Sequence, residues 1–310
     1  MRRGSNVLQF GVIAVLIAVN VVLLFLLFRP EGVLTARSSQ DPGDRGSPTA
    51  TWSPTLDTSI NSTPSTRSIE SVPVKRLLLA TSSKNAWRAT VGDCNTPGKI
   101  ERSTNGGASW KRVVRTGPAP IVRLSAEPSG DLFTIGGTRR SCSVRYVAYA
   151  RDGTVRTSNS PTNVWFPTPE NRDEINGPGG TRGTPCNGHA IALASLDLSR
   201  ALVMCDDGTA RRTDNSGKTW QQVARISSAL TIAAGSGRYW TARVHQDCDG
   251  VTVQSLIEKS GSLTRGRTHC AAGLDVAAGQ VALDVTSDGT IWLWSGSRVV
   301  VSRDDGQTWE

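Results

Sequence analysis

Three stretches decide the fold: STNGGASW (103–110), TDNSGKTW (213–220) and SRDDGQTW (302–309). Each reads S/T-x-D/N-x-G-x-S/T-W. Asn or Asp at the third position caps backbone N–H groups and starts a tight turn. The fifth-position glycine supplies a positive φ. The flanking Ser or Thr and the Trp then lie on paired strands, and the indole packs on a neighbouring strand. Each octet therefore predicts a β-hairpin.

Around these octets the chain from Arg76 onward shows β-type patterning, in short alternating or β-branched runs cut by Gly, Asp, Asn and Ser turns. Five strand–turn–strand units stand out, at 77–92, 121–137, 191–205, 230–244 and 281–296. Degenerate hairpins at 150–154 and 258–261 fill gaps between octets. Asn215 and Asp304 are 89 residues apart, or about two units of ~45 residues. Asn105 and Asn215 are 110 apart, which leaves room for an insertion.

The octets resemble the Asp-box, or BNR, repeat of sialidase-like, sortilin-like and photosystem-assembly-factor-like β-propellers. Asn105 and Asn215 depart from the usual Asp. The resemblance covers only the repeat domain, and implies an all-β propeller of about five four-stranded blades. A sixth, scrambled blade within 160–188 is the alternative. It also implies that Ser103, Asn105, Gly107 and Trp110, with Thr213, Asn215, Gly217, Trp220, Ser302, Asp304, Gly306 and Trp309, are structural residues. Because the sequence stops just after Trp309, residues 71–75 are expected to complete the last blade and close the ring.

The N-terminal quarter is of another kind. Residues 6–28 form a nearly unbroken apolar run whose 23 residues reach roughly 34 Å as a helix, enough for a bilayer core of ~30 Å. No clean A-x-A site follows, so an uncleaved signal anchor is expected. Arg2 and Arg3 place residues 1–5 in the cytoplasm. Residues 29–67 are rich in Ser, Thr and Pro and read as a disordered linker, with a formal glycosylation triplet at Asn61. Residues 68–310 form the propeller, outside the cytoplasm. The expected location is the plasma membrane, single-pass.

All six cysteines, Cys94, Cys142, Cys186, Cys205, Cys248 and Cys270, lie beyond the linker. An even count on an exported domain favours three disulfides. The pairing 94–142, 186–205, 248–270 is favoured among fifteen. Zinc held by Cys186, His189, His245 and Cys248 is the competing reading.

In a four-stranded blade the 1–2 and 3–4 hairpins lie on one face, and the 2–3 loops and crossovers on the other. The octets thus face one way, and the cysteine-bearing loops the other. The loop face carries the candidate ligand-binding residues Arg139, Arg140, Arg145, Arg172, Asp173, Glu174, Arg182, His245 and Asp247, together with Asp249. The net charge of +9 suits anionic envelope polymers or lipid headgroups, with a solvated surface as the plain alternative. Nucleic acid is excluded by the expected compartment. The excess of arginine, 29 against 6 lysines, fits a GC-rich bacterial genome of the actinobacterial kind.

No catalytic set emerges. The sialidase-like F/Y-R-I-P motif is missing, and Tyr146, Tyr149 and Tyr239 have no evident Glu partner. No G-x-S-x-G places a nucleophile. Asp-Gly pairs such as Asp152-Gly153 lack the spaced ligands of a calcium loop. No metal or cofactor is expected. The function read here is a non-catalytic binding or scaffolding module for an envelope protein or glycan. The alternative is a divergent glycan hydrolase or glycan-binding protein.

Overall fold

A computed structural model describes residues 69–310, apart from 115–116, 128–129 and 158–162. The expected anchor at 6–28 and linker at 29–67 lie outside the described residues. Among the described residues no helix is long and apolar enough to cross a membrane.

The domain is an all-β propeller of six antiparallel blades, each strand pairing with its sequence neighbour. Blade 1 comprises β1 (Arg76–Ala80), β2 (Ala86–Thr90), β3 (Ile100–Ser103) and β4 (Lys111–Val114). Blade 2 comprises β5 (Ile121–Ala126), β6 (Leu132–Gly137), β7 (Val144–Tyr149) and β8 (Val155–Thr157). Blade 3 has only β9 (Phe166–Pro167), β10 (Ile175–Asn176) and β11 (Arg182–Gly183). Blade 4 comprises β12 (Ala190–Ser195), β13 (Ala201–Cys205), β14 (Thr209–Thr213) and β15 (Gln221–Arg225). Blade 5 comprises β16 (Ala229–Gly235), β17 (Arg238–Arg243), β18 (Gly250–Lys259) and β19 (Ser262–Ala272). Blade 6 has β20 (Val281–Val285), β21 (Ile291–Ser295) and β22 (Arg298–Ser302).

The count is therefore six rather than five. The extra blade lies within 160–188, where the alternative placed it. Its strands are two residues long, too short to leave a period-two trace. The five longer strand–turn–strand units all form the inner pairs of blades 1, 2, 4, 5 and 6.

The innermost strands neighbour one another at β12–β16, β16–β20, β20–β1, β1–β5 and β5–β9, and Trp165 and Ile175 pack with Ala190 and Ala201 across the blade 3–blade 4 seam, so the ring is closed. Apolar side chains fill the seams between blades. Leu230, Trp240, Val251, Val281 and Leu293 belong to one cluster spanning blades 5 and 6. Ala80, Ala86, Trp292 and Val301 seal blade 6 to blade 1. Burial of such side chains supplies roughly 1.5–3 kcal/mol each and is the main cohesive force of the ring.

The expected closure by 71–75 is not what forms. Blade 6 has three strands, and beyond them Glu310 exchanges two backbone bonds of 3.0 Å with Val301. Residues 71–75 instead run across the inner strands. Ser71 Oγ donates to Ala229 O (3.0 Å). Val74 N donates to Ile191 O (3.0 Å), and Lys75 N to Gly279 O (2.8 Å). These donors are committed to blades 4 and 5 and the β19–β20 crossover, so they cannot form a ladder with β22.

The three octets fold alike. In the first, Gly107 N donates to Ser103 Oγ and Ser109 N to Asn105 Oδ1, both at 3.0 Å. In the second, Gly217 N donates to Thr213 Oγ1 and Thr219 N to Asn215 Oδ1, both at 3.0 Å. In the third, Gly306 N donates to Ser302 Oγ (2.8 Å) and Thr308 N to Asp304 Oδ1 (2.9 Å). The fifth-position glycines have φ of +89°, +88° and +94°, a region that costs an L-residue strain.

Candidate functional site

Strand direction places the β2–β3, β6–β7 and β17–β18 loops on one face with the crossovers, and the octets on the other. All three disulfides stabilise the loop face, in the favoured pairing. Cys94–Cys142 ties the β2–β3 loop to the β6–β7 loop of the next blade (Cα–Cα 5.2 Å). Cys186–Cys205 ties the β11–β12 crossover to β13, and Cys248–Cys270 ties the β17–β18 loop to β19, both with Cα–Cα of 5.6 Å. The zinc reading fails because both cysteines it needs are bonded to other sulfurs.

The nine candidate residues fall into three groups on this face. The first rides on the Cys94–Cys142 bridge. Arg140 N donates to Cys94 O (2.7 Å), and Arg140 has φ of +72°. Arg139, Arg140 and Arg145 are all exposed, and among the described residues no carboxylate forms an ion pair with them.

The second group surrounds the short third blade. Arg172 Nη1 reaches Val74 O (3.0 Å), and burial lowers its pKa. Asp173 accepts from Ala190 N and pairs with His189 Nδ1, both at 2.8 Å. The hydrogen bond that His189 donates to the Asp173 carboxylate raises the His189 pKa, and the Asp173 charge adds to it. Glu174 lies 3.7 Å from Arg182. His189 thus joins a group that spacing alone did not assign to it, because the Asp173–His189 pair spans a crossover.

The third group is small. His245 Nδ1 lies 3.3 Å from Asp247, beside Cys248. Among the described residues no hydrogen bond or ion pair joins the three groups, so the face is a set of separate polar stations. Among the described residues no three His, Cys, Asp or Glu side chains are gathered as metal ligands.

A second feature lies on the axis. A cavity of about 130 Å³ runs between the inner strands. Its wall is mostly Leu, Ile, Val and Ala, and its charged members are Arg76, Arg123, Arg172 and Asp284. Arg76 is committed elsewhere: Nη1 donates to Gly296 O (2.5 Å), and its guanidinium lies 4.4 Å from the Trp294 ring centroid. Asp284 Oδ2 accepts from Ala80 N (2.6 Å). Burial raises its pKa to about 7, against the backbone hydrogen bonds and the Arg123 charge, which lower it. The sequence reading missed Arg123 and Asp284. Their signal is a charge inside an innermost apolar strand, IVRLSA and VALDV.

No family model matches the chain, and no curated protein matches it in sequence. Solved structures do resemble it in shape. A functionally unknown protein from Desulfotomaculum acetoxidans is 12% identical over 76% of this chain and 83% of its own, with a TM-score of 0.43. YCF48, solved bound to a D1 peptide, is 15% identical over 77% of this chain and 67% of its own, with a TM-score of 0.30. The Aleuria aurantia lectin, described as a six-bladed β-propeller, is 9% identical over 76% of this chain and 94% of its own, with a TM-score of 0.43. At these identities the likeness concerns the fold alone, which the six radial sheets already establish.

Proposed function

We propose that the protein is a membrane-tethered, extracytoplasmic β-propeller that acts as a non-catalytic docking module in the cell envelope. On this reading residues 6–28 anchor it, 29–67 form the stalk, and the octets are Asp-boxes that build blades. The loop face is the binding surface. The observation that carries the reading is a trio, Arg139 and Arg140 on the disulfide-bridged β6–β7 loop and Arg145 at the start of β7, all exposed and unmatched by any described carboxylate. Exposed like charges held by a rigid staple favour an acidic partner and speed its encounter.

The test uses the full-length protein in its own membrane. Crosslinking from the β6–β7 loop is compared between the natural chain and an Arg139→Glu/Arg140→Glu variant. A specific protein adduct that disappears in the variant is expected. A glycan screen runs beside it. Turnover of a glycan that Asp173→Asn or Glu174→Gln abolishes would replace the docking module with an enzyme.

A further inference from the structure

The axial cavity is unlike the loop face: it is small, its surface is about half apolar and half polar, and it is charged at few points. Three of its four charged wall residues are arginines, and the fourth is Asp284. Arg76 and Arg172 have partners, in Gly296 O and Val74 O. The Nε of Arg123, like those of Arg76 and Arg172, is buried without a hydrogen-bond partner, but Arg123 is the one that feels the Asp284 charge. Arg123 and Asp284 attract each other across the space, yet no ion pair joins them. A buried cationic donor without an acceptor is costly. An acceptor entering the cavity would remove that cost.

We propose that the axial cavity is a binding site for a short-chain aliphatic carboxylate, its carboxylate held by Arg123 and its tail by the apolar inner strands. The tail meets Leu77, Val122, Leu124, Ile191 and Ile232. The size agrees: an apolar cavity of roughly 150 Å³ takes a molecule as large as benzene, and butyrate is no larger. The charge agrees too, since three arginines against one carboxyl favour an anion.

Asp284 makes the site proton-linked. Its carboxyl is half protonated near pH 7. Protonated, it adds a donor and removes a like charge; ionised, it repels the ligand. The charged groups in the cavity wall around it are Arg76 from β1, Arg123 from β5 and Arg172 from the β9–β10 turn. The wall residues of β12 and β16 carry no charge, nor does β21, which pairs with Asp284 through Trp292. Binding therefore tightens as pH falls from 8 to 6, a range in which butyrate itself stays ionised.

The test is calorimetric titration of the full-length protein with butyrate, butyramide and inorganic phosphate at pH 6 and pH 8. Saturable butyrate binding is expected, about tenfold tighter at pH 6. Butyramide and phosphate should bind at least tenfold more weakly. Arg123→Gln should abolish binding, and Asp284→Asn should keep it while removing the pH dependence. Absence of saturable butyrate binding would overturn the proposal. So would butyramide or phosphate binding as well as butyrate, or butyrate binding that survives Arg123→Gln. The ligand comparison needs no variant, so it decides the question even if Arg123→Gln fails to fold. The cavity shares no residue with the Arg139, Arg140 and Arg145 station on which the docking reading rests, so either can fail without the other.

Discussion

Two of the three octets sit on a tryptophan of the preceding blade, and the third sits on a histidine. At the blade 6–blade 1 seam, Trp110 meets Trp292 edge to face with centroids 6.5 Å apart, and Trp292 Nε1 donates to Ser82 O (3.1 Å). At the blade 3–blade 4 seam, Trp220 meets Trp165 at 5.9 Å, and Trp165 Nε1 donates to Asp197 O (2.9 Å). In both, the indole bonds to the first hairpin of the next blade and its ring lies under the octet glycine, where an added Cβ would be 3.3 Å away. At the blade 5–blade 6 seam the residue beneath Gly306 is His269. There His269 Nε2 is buried without a partner, so the residue beneath the glycine makes no bond to the next blade; Trp309 Nε1 is unpartnered too, as Trp220 Nε1 is in blade 4. The same turn chemistry therefore yields two latched seams and one unlatched seam. What differs is the side chain supplied by the neighbouring blade.

The largest expected effect breaks a latch. Trp292→Ala and Trp165→Ala should each cost about 3–5 kcal/mol, the usual cost of removing a buried large aromatic. In a domain of this size that is on the order of 10 °C in Tm. His269→Ala should cost no more than about 1 kcal/mol, since no hydrogen bond from its buried nitrogen is lost. Thermal unfolding of the three variants checks the ranking. Equal losses at all three seams would mean that the tryptophan latch adds nothing to ordinary packing.

A smaller change separates ring from N–H. Trp292→Phe keeps an aromatic ring but removes the bond to Ser82 O, and should cost about 1 kcal/mol for the hydrogen bond plus a small packing loss. Asn105→Ala acts on the other partner of the latch, the turn itself. It removes acceptor Oδ1 from Ser109 N and from Ser103 Oγ. The turn is exposed, so water takes over part of the loss, and about 1 kcal/mol is expected. Denaturant melts of the two single variants and the double variant measure whether turn and latch are coupled. Strict additivity would show that the octet holds its shape without the neighbouring blade.

This contrast also explains what the amino-acid sequence could reveal. Octets 103–110, 213–220 and 302–309 were legible because a turn is a local object: a cap, a positive φ and a flanking hydroxyl, all within eight residues. The inner strand pairs were legible because a buried, largely apolar run of five or six residues between turn residues survives in the string, as in LFTIGG of β6 and ALVMC of β13. Blade 3 was nearly silent. Its strands are two residues each, and its place in the ring depends on long-range contacts of Trp165, Phe166 and Ile175. The closure by 71–75 was misjudged for a related reason. Which edge a short segment meets depends on where six blades bring their inner strands. Of the candidate site, the loop residues could be assigned to one face because strand direction and the neighbouring cysteines are readable locally. Arg123 and Asp284 were overlooked because each is a single charge within an apolar strand, and only the ring brings them to one cavity.

The finest distinction lies within the octets and is one of charge. In the first two, the amide of Asn105 or Asn215 donates to a hydroxyl, Asn105 Nδ2 to Ser109 Oγ (2.9 Å) and Asn215 Nδ2 to Thr219 Oγ1 (2.8 Å). In the third the direction reverses, and Thr308 Oγ1 donates to Asp304 Oδ2 (2.7 Å). The backbone bond from Thr308, with that hydroxyl bond second, lowers the Asp304 pKa from 3.8 to about 2. A carboxylate whose pKa falls on folding adds stability that is complete above its ordinary value and is lost as pH drops through the folded one. The third octet should therefore weaken between pH 4 and pH 2, whereas the two asparagine octets carry no titrating group at that position. Asp304→Asn should change Tm little at pH 7, because an amide satisfies the same turn with its donor reversed. It should flatten the acid limb of the stability profile. Asn215→Asp should add a matching acid limb at blade 4. An acid profile unchanged by either substitution would mean that the exposed carboxylate is fully compensated by water, and that choosing Asp or Asn in this turn has no energetic consequence for the ring.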